Sequence, residues 1–218
     1  MHDPFEKFIL WLEERLKGPL PGYEAQMLMM PKATKQDRFS FNQKKTAKLG
    51  GVLLLLYPHK GKVYLPLMKR PEYNGVHSGQ ISFPGGKMEE GDPDLIFTAL
   101  REGQEEIGIR PEDVKVLGNL TEHMVVASNF NVLPVIGYLG YRPRFVADLH
   151  EVAEVLEVSI DHLQDDRNRR EKELLVRGRY WLKAPYYDVG GHVVWGATAM
   201  MLSEFLMMVK GFDDGTGP

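Results

Sequence analysis

Four residues in the middle of the chain carry its strongest chemical signal: Arg101, Glu102, Glu105 and Glu106. On a helix, positions three and four apart share a face, so the three glutamates stand together, with Arg101 four residues before Glu105 and able to pair with it. Like charges so arranged repel, by roughly a few tenths of a kcal/mol for each exposed pair. A hard divalent cation, Mg²⁺ or Mn²⁺, reverses that cost because it prefers carboxylate oxygens and water. Such an ion suits phosphate chemistry: it neutralises a diphosphate, orients it, and turns a bound water into a nucleophile. The bland alternative is a solvated acidic face, which is commonplace on helices. The preceding loop weighs against it. Residues 84–86 read Pro-Gly-Gly, and glycines let backbone approach a ligand closely and offer carbonyls to a metal.

The elements around this cluster can be read from pattern. Pro93–Ile107 is predicted as the helix that carries it, with Asp92 as N-cap, Pro93 at the first position and Gly108 at the C-terminal stop. Leu95, Ile96, Ala99, Leu100 and Ile107 supply its apolar face. Before it, residues 70–94 form a long Gly- and Pro-rich stretch, and ordered loops of that length are usually functional. Strands are expected at Val52–Tyr57, Val63–Met68, Val114–Leu120, Val132–Leu139 and Glu154–Val158. A terminal helix spans roughly Thr198–Val209. At the other end, Phe5, Phe8, Ile9 and Leu12 line one side of an opening helix. It is followed by an extended connector that includes the methionines at 27–30. Strands before and after a central helix imply a mixed α/β or α+β sandwich. The division expected is an N-terminal helix and connector (1–45), the main domain (46–210) and a flexible tail (211–218).

Composition narrows the class. The 218 residues include no cysteine, so disulfides and thiolate metal sites are excluded and any metal takes oxygen or imidazole ligands. A formal net charge of −3 supplies no global field to gather nucleic acid. No apolar run approaches the roughly 20 residues needed to cross a bilayer, and the N-terminus is too charged for a secretory signal. The expectation is a cytoplasmic protein whose partner is neither nucleic acid nor membrane. A homodimer is left open.

Residues 86–109, GKMEEGDPDLIFTALREGQEEIGI, resemble the box of the Nudix family, written G-x5-E-x7-R-E-U-x-E-E-x-G-U with U a bulky apolar residue. The core matches at Arg101, Glu102, Glu105, Glu106, Gly108 and Ile109. The stretch from Gly86 to Arg101 is one residue longer than the general pattern, Asp92 stands near the first Glu, and Gly103 takes an apolar position. The segments 77–87, 128–139, 151–160 and 194–202 are similar to those of the coenzyme A diphosphatase subfamily. Its LLTxR signature is only partly kept: Arg70 is present, and Gly75 stands where a second Arg belongs.

The resemblance implies a Nudix α/β/α sandwich with a mixed sheet, and a metal-dependent hydrolase of the coenzyme A diphosphate. Glu102, Glu105 and Glu106, joined by the Gly86 carbonyl, are the implied metal ligands. The general base is one of the helix glutamates or Glu151, which otherwise is only an edge charge. Arg101 locks the glutamates by salt bridges. Arg70 is a candidate phosphate ligand or a solvated strand-end cation, and His77 a phosphate donor or a turn stabiliser. Gly79, Gln80 and Phe83 are candidates to line the substrate site, Phe83 having a core position as its alternative, while Trp195 is read as a packing anchor for the last helix. Two rivals remain at this point: a Nudix enzyme for ADP-ribose, a dinucleotide or a nucleoside triphosphate, and a non-catalytic nucleotide sensor.

Overall fold

The computed structural model describes residues 3–34, 46–72, 78–176, 178 and 180–212, with the backbone alone at Tyr180. Along the chain come α1 (Pro4–Leu16), α2 (Gly22–Met27), β1 (Lys32–Ala33), β2 (Lys48–His59), β3 (Lys62–Lys69), β4 (Ile81–Ser82), β5 (Gly85–Lys87) and α3 (Leu95–Ile107). There follow β6 (Lys115–Asn119), β7 (His123–Val125), β8 (Phe130–Tyr138), β9 (Glu154–Ser159), α4 (Ile160–Gln164), β10 (Arg169–Val176), β11 (Tyr180–Val189), β12 (His192–Trp195) and α5 (Gly196–Val209).

The main sheet is mixed. Its path runs β4-β3-β2-β8-β6, with β5 on β2, β7 on β8 and β9 on β3. The β2–β8 pair is parallel and the others are antiparallel. The central strand β2 is buried on both faces, which explains its uninterrupted leucines. Leu54 and Leu56 join one core with α1, β3 and α5, whereas Leu53 and Leu55 join another with Ala99 and Ile107 of α3. The sheet therefore lies between two helical layers, as the family resemblance implies. A second, antiparallel sheet orders as β1-β11-β10, with β12 on β11.

Several expectations need correction. Residues 22–27 are helical rather than extended. Their docking is polar as well as apolar: Gln26 Nε2 donates to Glu204 Oε2 at 2.7 Å, and Gln26 Oε1 lies 2.7 Å from His123 Nδ1. Glu204, fully buried, also accepts from the N–H groups of Gly22 and Thr121 and from the Thr121 hydroxyl. The second sheet was not expected at all. Finally, α3 starts two residues later than the pattern suggested. Asp94 is its N-cap, accepting from Phe97 N at 2.7 Å, which frees Asp92 for another task.

Candidate active site

The carboxylate helix lies against the glycines of β2 and β5. A Cβ added to Gly51 would fall on the Leu95 carbonyl oxygen, so α3 rests almost directly on the β2 backbone. A Cβ on Gly86 would stand 2.5 Å from Glu102 Oε1 and 2.6 Å from its Oε2. Only glycine lets a carboxylate approach the chain this closely. Gly103, which stands at an apolar position of the box, serves packing by being small. Its missing side chain admits Ile109 and Leu53, whose methyls would lie 3.1 Å from a Cβ there.

Glu106 is 1% exposed. Its Oε2 accepts from Gly85 N at 2.7 Å, and Oε1 lies 3.5 Å from Arg70 Nη2. Burial pushes its carboxyl up to about 8, against the pull of Arg70 and the Gly85 amide. Burial also raises Glu102, opposed by Arg101, whose Nη1 is 3.0 Å from Glu102 Oε1. Glu105 projects outward, its side chain 57% exposed, and takes Arg101 Nη1 at 2.7 Å. Glu151 lies on the turn before β9, its N–H donating to Asp148 O at 3.0 Å. Its charge adds to the upward push on both Glu102 and Glu106. The C-terminal half of α3 and the 148–151 turn thus face one another electrostatically.

Arg101 is the clamp of this arrangement. Its Nε and Nη2 donate to the two Asp92 carboxylate oxygens, each at 3.0 Å, and Nη2 also reaches Lys87 O at 3.2 Å. Asp92 accepts in addition from Thr98 Oγ1 and Glu89 N, and the Arg101 guanidinium holds its carboxyl well below the usual carboxylate range. Sequence reading missed this partner, because a nine-residue separation that includes a loop has no periodicity to reveal it.

The other expected site residues divide between the neighbourhood of Glu106 and the core. Arg70 turns inward to Gly85 O (3.3 Å) and Glu106, and so is not the solvated cation of the alternative reading. Gly79 and Gln80 form the turn and strand edge beside it: Gly79 N donates to Pro71 O, and Gln80 O accepts from Arg70 N. Of the two readings of Phe83, the core position holds and the site-lining one does not: it is 1% exposed within the α1/α5 core. His77 lies outside the described residues.

Among the described residues no three acidic or imidazole groups already converge at metal-ligand distance. The donor set nonetheless fits a hard cation. Two carboxyls whose burial opposes ionisation, set against a glycine backbone with Glu151 nearby, gain a counter-charge from a divalent ion.

Comparison with known proteins places this geometry. The NUDIX domain family model matches residues 48–175. The Arabidopsis thaliana protein named Nudix hydrolase 15, mitochondrial, is 34% identical over 81% of this chain and 62% of its own length. A Mus musculus protein named mitochondrial coenzyme A diphosphatase NUDT8 is 35% identical over 63% of this chain and 67% of its own. Among solved structures, a MutT/nudix family protein from Enterococcus faecalis superposes with a TM-score of 0.50 over 78% of this chain and 65% of that one, at 15% identity. The chain spans about 62% of the length of the Arabidopsis relative. With the family model covering more than half of its residues, box and carboxylate helix included, the chain belongs to the Nudix family.

Proposed function

We propose that the protein is a metal-dependent pyrophosphohydrolase that cleaves coenzyme A to 4′-phosphopantetheine and adenosine 3′,5′-bisphosphate. The observation that carries the hydrolytic reading is the pair of carboxyls, half-buried Glu102 and buried Glu106, against the Gly85–Gly86 backbone. The substrate reading draws on relatives named coenzyme A diphosphatases, 35% and 34% identical. A divalent cation, Mg²⁺ or Mn²⁺, would neutralise the diphosphate and acidify a coordinated water. Glu102 and Glu106 would hold it, with Glu105 and the Gly86 carbonyl as the further donors implied by the box. In the reaction a water oxygen bonds to one phosphorus of the diphosphate. The bridging P–O bond breaks, and its electron pair leaves with the other phosphate.

The remaining groups divide the work. Arg101 occupies one oxygen each of Glu102 and Glu105, and Gly85 occupies Glu106. Glu151, on its exposed turn, is the carboxylate left to take the proton from the attacking water. Arg70 can swing its loose 3.3 and 3.5 Å contacts onto a phosphate oxygen, where a guanidinium binds bidentately.

A substrate panel with Mg²⁺ and Mn²⁺ tests the reading by product analysis. Release of 4′-phosphopantetheine from coenzyme A, exceeding turnover of ADP-ribose, dinucleotides and nucleoside triphosphates, is the expected result. Efficient cleavage of one of those with coenzyme A untouched would sink the substrate assignment. Glu106→Gln should cut kcat by about 10²-fold or more while the protein stays folded, since it removes a charge that the transition state needs. Undiminished turnover in that variant would sink the metal-site assignment.

A further inference from the structure

Beyond the carboxylate pocket, the second sheet faces the β4 edge across a cleft of about 390 Å³. One wall is the Gly79–Ile81 segment; the other is β10 and β12, including Lys172, Leu174, His192 and Trp195. The walls are tied together where α5 begins, as Thr198 Oγ1 donates to Ile81 O at 3.1 Å. A single residue spans from this cleft to the acidic pocket. Arg70 donates its N–H to Gln80 O at 3.0 Å, and its guanidinium stands 3.5 Å from Glu106. The cleft wall at Gln80 is thereby joined to the carboxylates through Arg70.

The lining has a consistent chemistry. Its described residues include an ammonium, an imidazole and a half-buried indole, with no carboxylate, in a chain of net charge −3. On β10 the acids are turned away, while Glu72 stands beside Gly79, its Cγ 3.7 Å from where a Cβ there would be. Glu171 and Glu173 alternate to the opposite face of β10 from Lys172, and Glu171 pairs with Lys183 at 2.7 Å. Of the other β10 cations, Arg170 is bound to Asp188 at 2.8 Å and Arg169 reaches Leu28 O. Lys172 pairs with no acid among the described residues. His192 is held at the rim, 3.5 Å from Glu154. An indole on β12 and an uncommitted cation on β10, lining one cleft, match a purine carrying an additional phosphate.

We propose that this cleft binds the adenosine 3′-phosphate end of the substrate, Trp195 taking the base and Lys172 the 3′-phosphate. The assignment rests on the coenzyme A reading above and adds specificity-determining residues to it. Lys172 is exposed, so its replacement leaves the fold intact, whereas Trp195 starts α5 and is the riskier position.

The test compares kcat/KM for coenzyme A and 3′-dephospho-coenzyme A in the wild type and in Lys172→Met. The wild type should prefer coenzyme A by about tenfold, the scale of one charge-assisted contact. The variant should lose that preference through KM, with its rate on the dephospho substrate unchanged. Titration calorimetry with adenosine 3′,5′-bisphosphate and AMP gives a readout without turnover: the variant should bind both alike. Cleavage of coenzyme A with the preference unaltered by Lys172→Met, or with both substrates slowed equally, overturns the subsite and leaves the coenzyme A reading standing. If neither compound is cleaved, that reading itself fails and takes the subsite with it.

Discussion

Asp92 shows how much of the site depends on a side chain that touches no reactant. Its two oxygens receive the guanidinium of Arg101, a Thr98 hydroxyl and a backbone N–H, and Arg101 in turn orders Glu102 and Glu105. Asp92→Asn keeps the shape of the group but removes the charge that orients Arg101. Partners of this outer kind typically contribute about 10–100-fold to metal affinity or activity. The variant should therefore lose kcat/KM on that scale while its circular dichroism stays native. Kinetics equal to wild type would mean that the clamp is only structural. The glutamates themselves were legible in the sequence, because their spacing is helical and their chemistry is narrow. Asp92 was misread as a cap because a loop carboxylate just before a helix satisfies the same local rule that Asp94 in fact fulfils. Gly86 was legible as a glycine with a purpose, but not as the surface against which Glu102 lies.

Between elements, the decisive contact is α3 on β2. Gly51→Ala places a methyl group against the Leu95 carbonyl and the Ala99 backbone, so the helix must lift. Overpacking of this kind costs about 1–3 kcal/mol, and the lift also carries Glu102 and Glu106 away from Gly85 and Gly86. Thermal midpoint and kcat should fall together, and a fall in the midpoint with full kcat would show that the helix position is not coupled to chemistry. On the opposite layer, His123 joins β7 to α2 and α5 through Gln26. Burial lowers its imidazole below the usual histidine range, Glu204 opposing. Above the unfolded-state value of about 6.5, neither state takes up the proton and this contribution to stability is whole. As the pH falls below it, the unfolded chain binds the proton first, so stability is lost. From about pH 7.5 to about 5.5, the wild type should lose thermal stability relative to His123→Gln; parallel curves would contradict the assignment. The strands of the main sheet were readable because they are apolar and bounded by turns. Strand β10 was not: its exposed run, Arg169 to Glu173, alternates charge on a solvent-facing edge and carries no core signal. Helix α2 was hidden for the opposite reason. Six residues are too few to display a period, and its burial depends on Gln26 meeting Glu204, 178 residues away.

Across the whole molecule, the two cores meet on one strand, since Leu53 and Leu55 face α3 while Leu54 and Leu56 face α1 and α5. Neither layer can open without stripping β2 of half its burial, so the described fold should melt in a single transition. That cooperativity makes a local event at the acidic pocket measurable globally. The folded chain brings Glu102 and Glu106 together beside Gly86 and the unfolded chain does not, so a cation that binds there stabilises only the folded state. At a free concentration of 100 times its dissociation constant the gain is about 2.7 kcal/mol, which for a protein of this size raises the midpoint by roughly 5–11 °C. Mn²⁺ added to the chelated protein should produce this rise with one transition retained. Glu106→Gln should shorten the rise by most of its extent, because it removes the buried carboxylate without disturbing either core. A midpoint insensitive to Mn²⁺, or one that moves equally in the variant, would mean that the carboxylate pocket is not where the ion binds.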